Sequence, residues 1–331
     1  MKSPKLLFTV VAVILWTGMT CAQDVHVRVS PDSKGDVSSV DDFPTIQMAL
    51  DHAAQLGTAG RLYVHISPGV YRERVMVTQN RPRTTFLGTG ANAGDVVITA
   101  SQNAKSAGGT FFSSTVVVNG EAFEADNLTF ENAAGNTGQA VAISVRSDRA
   151  IFKHCRFLGD QDTLFADWGR QYYVASYIQG GVDFIFGNAA AVFVDDEVHI
   201  IRAGYVTAQS RTSADQQTGF VFLHARVTSG DLGGKQFFLG RPWRAFSRVI
   251  FLESELPEGL SPQGWSPWKQ GGSLETAFYG EHGNRGAGAR MNERAAGSHS
   301  LTAAEAAGFT PERFLAGDDH WNPVAEAAKL P

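Results

Sequence analysis

The feature that most constrains this chain is a row of short strand-like segments that recur with no helix between them. They lie at 124–130 (EADNLTF), 151–157 (IFKHCRF), 172–178 (YYVASYI), 192–198 (VFVDDEV), 221–227 (VFLHARV) and 249–256 (VIFLESEL). Their closing apolar residues are Phe130, Phe157, Ile178, Val198, Val227 and Leu256, at steps of 27, 21, 20, 29 and 29 residues. A βα alternation does not fit, because each parallel crossover would need a helix of its own. Hairpins would need turns of two to five residues at closer intervals. Repeats of this length, each holding several short strands, predict an all-β, single-stranded parallel β-helix in which every coil stacks on the one before. The 35 glycines among 331 residues agree with a chain full of tight turns.

A solenoid exposes strand edges at both ends, so short capping helices are expected. Ile46, Ala49, Leu50 and Ala53 after Phe43-Pro44-Thr45 have the spacing of an amphipathic helix. Near the other end, Thr302 and Glu305 have capping-box spacing, and Thr310-Pro311 reads as a second helix start. No linker or low-complexity tract divides the chain, which predicts one domain over 23–331.

The first residues read differently. Lys2 and Lys5 precede an apolar run of 11 residues, 6–16 (LLFTVVAVILW), and Thr20-Cys21-Ala22 supplies a small-residue cleavage site. That pattern predicts a secretory signal peptide over 1–22, too short for a membrane span, and hence a secreted protein. Lipidation of Cys21 is the less favoured alternative, because Gly18-Met19-Thr20 makes a poor lipoprotein box. Removal of the segment takes the formal net charge from −5 to −7 and leaves Cys155 alone, read as a small buried hydrophobe. The acidity gives no reason to expect a nucleic-acid partner.

The repeat brings two carboxylates together. When 155–162 is laid on 176–183, Gly159 falls on Gly180 and Asp162 on Asp183. In-register coils would place the two Asp as stacked neighbours about 5 Å apart, the spacing of strands in a sheet. Two carboxylates so close cannot both ionise easily, so one holds a proton and the other serves as base or nucleophile. The plainer alternative is a pair of solvated turn residues. The apolar neighbours 163–165 (TLF) and 184–186 (FIF) argue against it.

At these residues the chain resembles the pectin methylesterase family. The segments that carry the resemblance are 69–73 (GVYRE), 139–143 (QAVAI), 159–164 (GDQDTL), 182–188 (VDFIFGN) and 239–243 (LGRPW). Weaker ones are 110–113 (TFFS), 205–209 (YVTAQ) and 264–268 (GWSPW). The resemblance covers roughly 36–325 and implies a right-handed parallel β-helix that hydrolyses methyl esters of homogalacturonan without metal or cofactor, acting as a monomer on pectin and water. It implies Asp183 as nucleophile and Asp162 as general acid and then base. Gln161 and Gln139 become oxyanion donors, and Arg241 the partner that keeps Asp183 ionised. Substrate contacts implied in the same way are Thr110, Gln139, Arg241, Trp243, Trp268 and Phe184, the last beside the nucleophile. Asp160 departs from the aromatic frequent in the family there and would set an extra negative charge beside an anionic polymer.

Other chemistries have less support. No G-x-S-x-G elbow occurs, and the nine His are scattered without zinc-ligand spacing. Asp195-Asp196-Glu197 reads as a solvated coil face rather than a calcium site. Asn127-Leu128-Thr129 is a glycosylation sequon, with an inward or ladder Asn the plainer reading. Three rivals stay open: a thioester hydrolase on the same site, a retaining glycosidase whose carboxylates are equally close, and a non-catalytic pectin-binding β-helix.

Overall fold

Coil after coil, the chain returns to the same three faces. The computed structural model describes residues 23–33, 42–55, 60–81, 83–268 and 272–331. The expected signal segment, and Cys21 within it, lie outside the described residues. Among those described, every strand pairing is parallel, and one face is a sheet of twelve strands. The other two faces are joined by long strands, Tyr177–Gly187 and Glu197–Gln209, which run from one face into the next. The whole is a right-handed parallel β-helix, the hand that parallel connections take from the right-handed twist of their strands.

The register reproduces the spacing of the repeat. Phe130 pairs with Phe157, Phe157 with Ile178, Ile178 with Val198, and Val198 with Val227. Five of the six segments expected as one strand are nonetheless two strands on different faces, and in 249–256 the strand Arg248–Leu252 is followed by an isolated bridge from Glu255 to Arg226. The break falls at one residue per coil, Asn127, His154, Ala175, Asp195, His224 and Glu253, all with φ between 49° and 60°. The left-handed conformation turns the chain in a single residue, and the ladder survives the turn. The His154 N–H donates to Val174 O at 3.1 Å, and the Asp195 N–H to Leu223 O at 3.0 Å. A period-2 reading cannot see this corner, because apolar residues on both sides of it point into the same core.

Inside the coils, rings from one repeat position stack along the axis. Phe152, Tyr173, Phe193, Phe222 and Phe251 lie with successive centroids 4.9, 4.6, 4.6 and 4.3 Å apart and nearly parallel. Each stacked pair adds about 0.5–1.5 kcal/mol beyond the area it buries, so the column fixes the coil register as well as filling the core. Cys155 sits fully buried in this core, and burial pushes its thiol pKa up.

The expected helices form, and the first covers the N-terminal end, but those of the C-terminal tail lie along a side face instead of capping the other end. Helix Ile46–Gln55 buries Ile46, Ala49, Leu50 and Ala53. Both oxygens of Glu73 accept from its first N–H groups, those of Ile46 and Gln47, at 2.9 and 3.0 Å, which satisfies donors that a helix start leaves open. Thr302 and Glu305 form their capping box, and Thr310 precedes helix Pro311–Phe314. This tail lays Leu315, Trp321, Ala327 and Leu330 over the twelve-stranded face, against Ile151, Tyr172, Val192, Val221 and Ile250.

Two further expectations away from the site need correction. Asp196 is not solvated: it is fully buried and its Oδ1 accepts from the Ser176 N–H at 2.6 Å, while Asp195 is exposed and Glu197 half-buried. Burial raises the Asp196 pKa well above the carboxylate range. Asn127 is neither inward nor a ladder residue; it is a corner whose Nδ2 donates to Gly88 O and Gly90 O at 3.1 and 2.8 Å.

Candidate active site

Asp162 and Asp183 begin the third-face portions of consecutive coils. Gln161 bridges to Val182, Leu164 pairs with Ile185 and Phe165 with Phe186, so a constant offset of 21 residues stacks Asp162 on Asp183. Gln139 bridges to Gln161 one coil earlier, which puts the two amides in one column beside the carboxylates. Both Asp are left-handed, with φ of 66° and 51°. That conformation costs an L-residue about 1–2 kcal/mol, and such cost is commonly stored at functional sites.

Both carboxylates are buried, Asp162 to 8% exposure and Asp183 to 4%. Arg241 separates their roles. Its Nε donates to Asp183 Oδ1 at 2.9 Å and its Nη2 to Asp183 Oδ2 at 2.6 Å, a two-pronged clamp. The guanidinium is held flat between Tyr205 and Trp268, with its carbon 4.0 Å from each ring centre. Its own backbone is fixed where the short strand Phe238–Gly240 ends, by the N–H donated to Thr207 O at 3.0 Å. Burial raises the Asp183 pKa, and the hydrogen bonds and charge of Arg241 pull it back. Burial, then the charge of Asp183, pushes Asp162 well above the carboxylate range, opposed by the charge of Arg241 alone. Of the two carboxyls, Asp162 is therefore the one whose surroundings favour the protonated form more strongly.

A pocket of about 280 Å³ opens over the pair, lined by Thr110, Gln139, Gln161, Asp162, Asp183, Arg241, Trp243 and Trp268, all expected from the sequence. Phe184 is the exception. It is fully buried in the main core, where Gly180 makes room for it; a Cβ on Gly180 would stand 2.2 Å from the Cβ of Phe184. The left-handed Asp183 breaks the alternation, so the next side chain turns inward and the outward aromatic is Phe186.

Phe186 stacks on Phe165 at 4.6 Å and Phe165 on Phe111 at 4.8 Å, giving the cleft an aromatic floor. Reasoning from the sequence missed Phe186, Phe111, Ala208 and the Tyr205 ring under Arg241. The offset of 21 residues, which pairs Phe186 with Phe165, was the signal available for Phe186. Asp160 does not present a bare charge to the cleft: it is buried and its Oδ1 accepts from Arg202 Nε at 2.5 Å.

Fold and cleft together define a β-helical hydrolase with a carboxylate pair. The sequence profile described as Pectinesterase matches residues 26–318. A pectinesterase of Daucus carota is 39% identical over 306 residues, covering 88% of this chain and 93% of that protein. Pectinesterase 1 of Citrus sinensis is 40% identical over 303 residues, covering 87% of this chain but 51% of its own length, so the chain spans about half of that relative. The solved pectin methylesterase from carrot superposes with a TM-score of 0.83 at 36% identity, over 92% of this chain and 96% of that one. The chain belongs to the pectinesterase family, and is a carboxylic ester hydrolase.

Proposed function

We propose that this enzyme hydrolyses the C6 methyl esters of galacturonate units in pectin, releasing methanol and leaving the free carboxylate. The observation that carries the reading is the asymmetry of the carboxylate pair: Asp183 is clamped at both oxygens by Arg241, while Asp162 lies one coil away with its pKa pushed well up. One group is thus ready to attack and the other to give a proton.

An oxygen of Asp183 adds to the ester carbonyl carbon. The charge that develops on the carbonyl oxygen is met by amide N–H groups of Gln161 and Gln139, and one such donor is worth about 2.7–4 kcal/mol. Collapse breaks the bond to the methoxy group as Asp162 hands it a proton, so methanol leaves and an acyl–Asp183 anhydride remains. Asp162, now ionised, takes a proton from water; the hydroxide adds to the same carbon and expels Asp183. Both carboxyls return to their starting states. Trp243 and Trp268 offer flat apolar faces to the sugar rings, and Thr110 a hydroxyl at the edge of the pocket. In this reading 1–22 is a secretion signal and 23–331 one catalytic domain.

The test is methanol release from highly methylated pectin with EDTA present, with reducing ends and unsaturated products followed in the same tube. Methanol without chain cleavage is the expected result. Chain cleavage would replace this reading with a glycosidase or lyase, and the absence of both would replace it with a thioester hydrolase or a binding protein.

A further inference from the structure

The outer face that carries the carboxylates continues past them. Asn188 follows the strand Tyr177–Gly187, five positions after Asp183 and therefore at most about 17 Å from it at the rise of a strand. At that far edge a second hollow of about 760 Å³ is lined by Asn80, Asn119, Arg146, Asp167, Trp168 and Asn188. Trp168 is 57% exposed, unusual for the largest side chain in a folded protein. The Arg146 side chain is 58% exposed, and its Nε donates to Asp167 Oδ2 at 2.6 Å, which orients the guanidinium without covering it.

A register shift builds this arrangement. Val145 pairs with Ala166, but Arg146 pairs with Trp168, so Asp167 is an extra residue in its strand. Ala166 points into the core, and simple alternation would turn Trp168 inward as well. The bulge instead sets Trp168 beside Arg146 on the outer face, re-aiming a side chain as bulges near functional sites do. An exposed indole face suits the apolar face of a sugar ring, a guanidinium suits a carboxylate, and the Asn amides suit hydroxyls.

We propose that this hollow is a distal subsite for an unesterified uronate of the polysaccharide whose methyl ester lies at the Asp pair. The inference rests on the pectin reading above and extends it. A chain lying along the strands meets Arg241 and Trp268 at one end, the aromatic floor of Phe165 and Phe186 in the middle, and Trp168 with Arg146 at the other. The arginine rewards a free carboxylate there and gains nothing from a methyl ester. The enzyme then favours pectin that is already partly de-esterified on that side.

The experiment uses calorimetric titration of fully de-esterified decagalacturonate into the wild type, Trp168→Ala, Arg146→Gln and Arg146→Lys, together with KM for methanol release on pectins of low and high methylation. Arg146→Gln should weaken the decamer about 3- to 5-fold, as expected for one exposed charge pair, with Arg146→Lys recovering part of the loss. Trp168→Ala should weaken it about 5-fold. KM of Arg146→Gln should rise on low-methylated pectin and hold on highly methylated pectin, with kcat kept on both. Unchanged decamer affinity in both variants overturns the subsite, and an equal rise in KM on both pectins overturns its assignment to a uronate. Failure of the wild type to release methanol overturns the esterase reading instead, while the titration still decides the subsite.

Discussion

Among the left-handed residues of this molecule, two sets are used in opposite ways. Along one corner, Asn127, His154, Ala175, Asp195, His224 and Glu253 recur once per coil, and all but the half-buried Asn127 hold their side chains in water. There the conformation only turns the chain, the hydrogen-bond ladder runs on through it, and side chains as different as Ala, His and Glu serve. At the cleft, Asp162 and Asp183 have the same conformation, yet their side chains are buried in a pocket with an arginine clamped to one of them. The backbone cost is alike in both places. At the corner the ladder offsets it, and at the cleft it also sets two carboxyls in a column at the pocket. Repetition of a turn is thus a matter of architecture, and its chemistry depends on what surrounds the side chain.

The strongest way to break this comparison is to remove the carboxylates while keeping the turn. Asp183→Asn and Asp162→Asn should each lower kcat by about 10⁴-fold or more, as losses of a nucleophile or its proton partner do, with circular dichroism unchanged. Near-normal methanol release by either variant would return that Asp to the class of corner residues. Stability sharpens the point. The folded pKa of Asp162 is raised above its ordinary 3.8, so the group favours the fold at low pH and penalises it as pH rises through the folded value. Asp162→Asn should therefore raise Tm more at neutral pH than at pH about 4.

Arg241→Gln comes next. It removes the clamp and should cost about 10²- to 10³-fold in kcat/KM, in line with loss of one charge-stabilising group. Arg241 lowers the pKa of Asp183, so without it the acid limb of the kcat/KM profile should move to higher pH. An unmoved limb would detach Arg241 from the ionisation of the nucleophile.

Gly180→Ala should cost about 1–3 kcal/mol in urea unfolding, because its Cβ would collide with Phe184 in a closed core. The smallest effect belongs to the corner. Ala175→Gly should stabilise the fold by up to about 1 kcal/mol, since glycine adopts the left-handed conformation freely, and activity should not change. Destabilisation there would mean the corner side chain matters after all.

Most of the architecture was legible in the sequence because a solenoid repeats it. The steps from Phe130 to Val227 are the observed registers, and the same offset put Asp162 against Asp183. The cap residues were legible for a local reason: helix amphipathicity and capping boxes involve residues three or four apart. What sequence reasoning got wrong has one cause. Phe184 was expected in the cleft, and each corner was read as continuous strand, because a left-handed non-glycine residue leaves no mark in composition or periodicity yet reverses every side chain after it. Asp160 and Asp196 misled for a related reason, since their neutralising or burying partners, Arg202 and Ser176, come from other coils.

The sequence by itself determined the coil, its period, its helices and the residue types that meet at the carboxylate pair, because stacking copies a local pattern from one coil to the next. Only the tertiary structure decided which aromatic faces the cleft, that the Tyr205 ring lies against Arg241, and that a bulge at Asp167 turns Trp168 outward beside Arg146. Those outcomes depend on the turn of single residues and on partners many residues away, and neither is carried by the repeat.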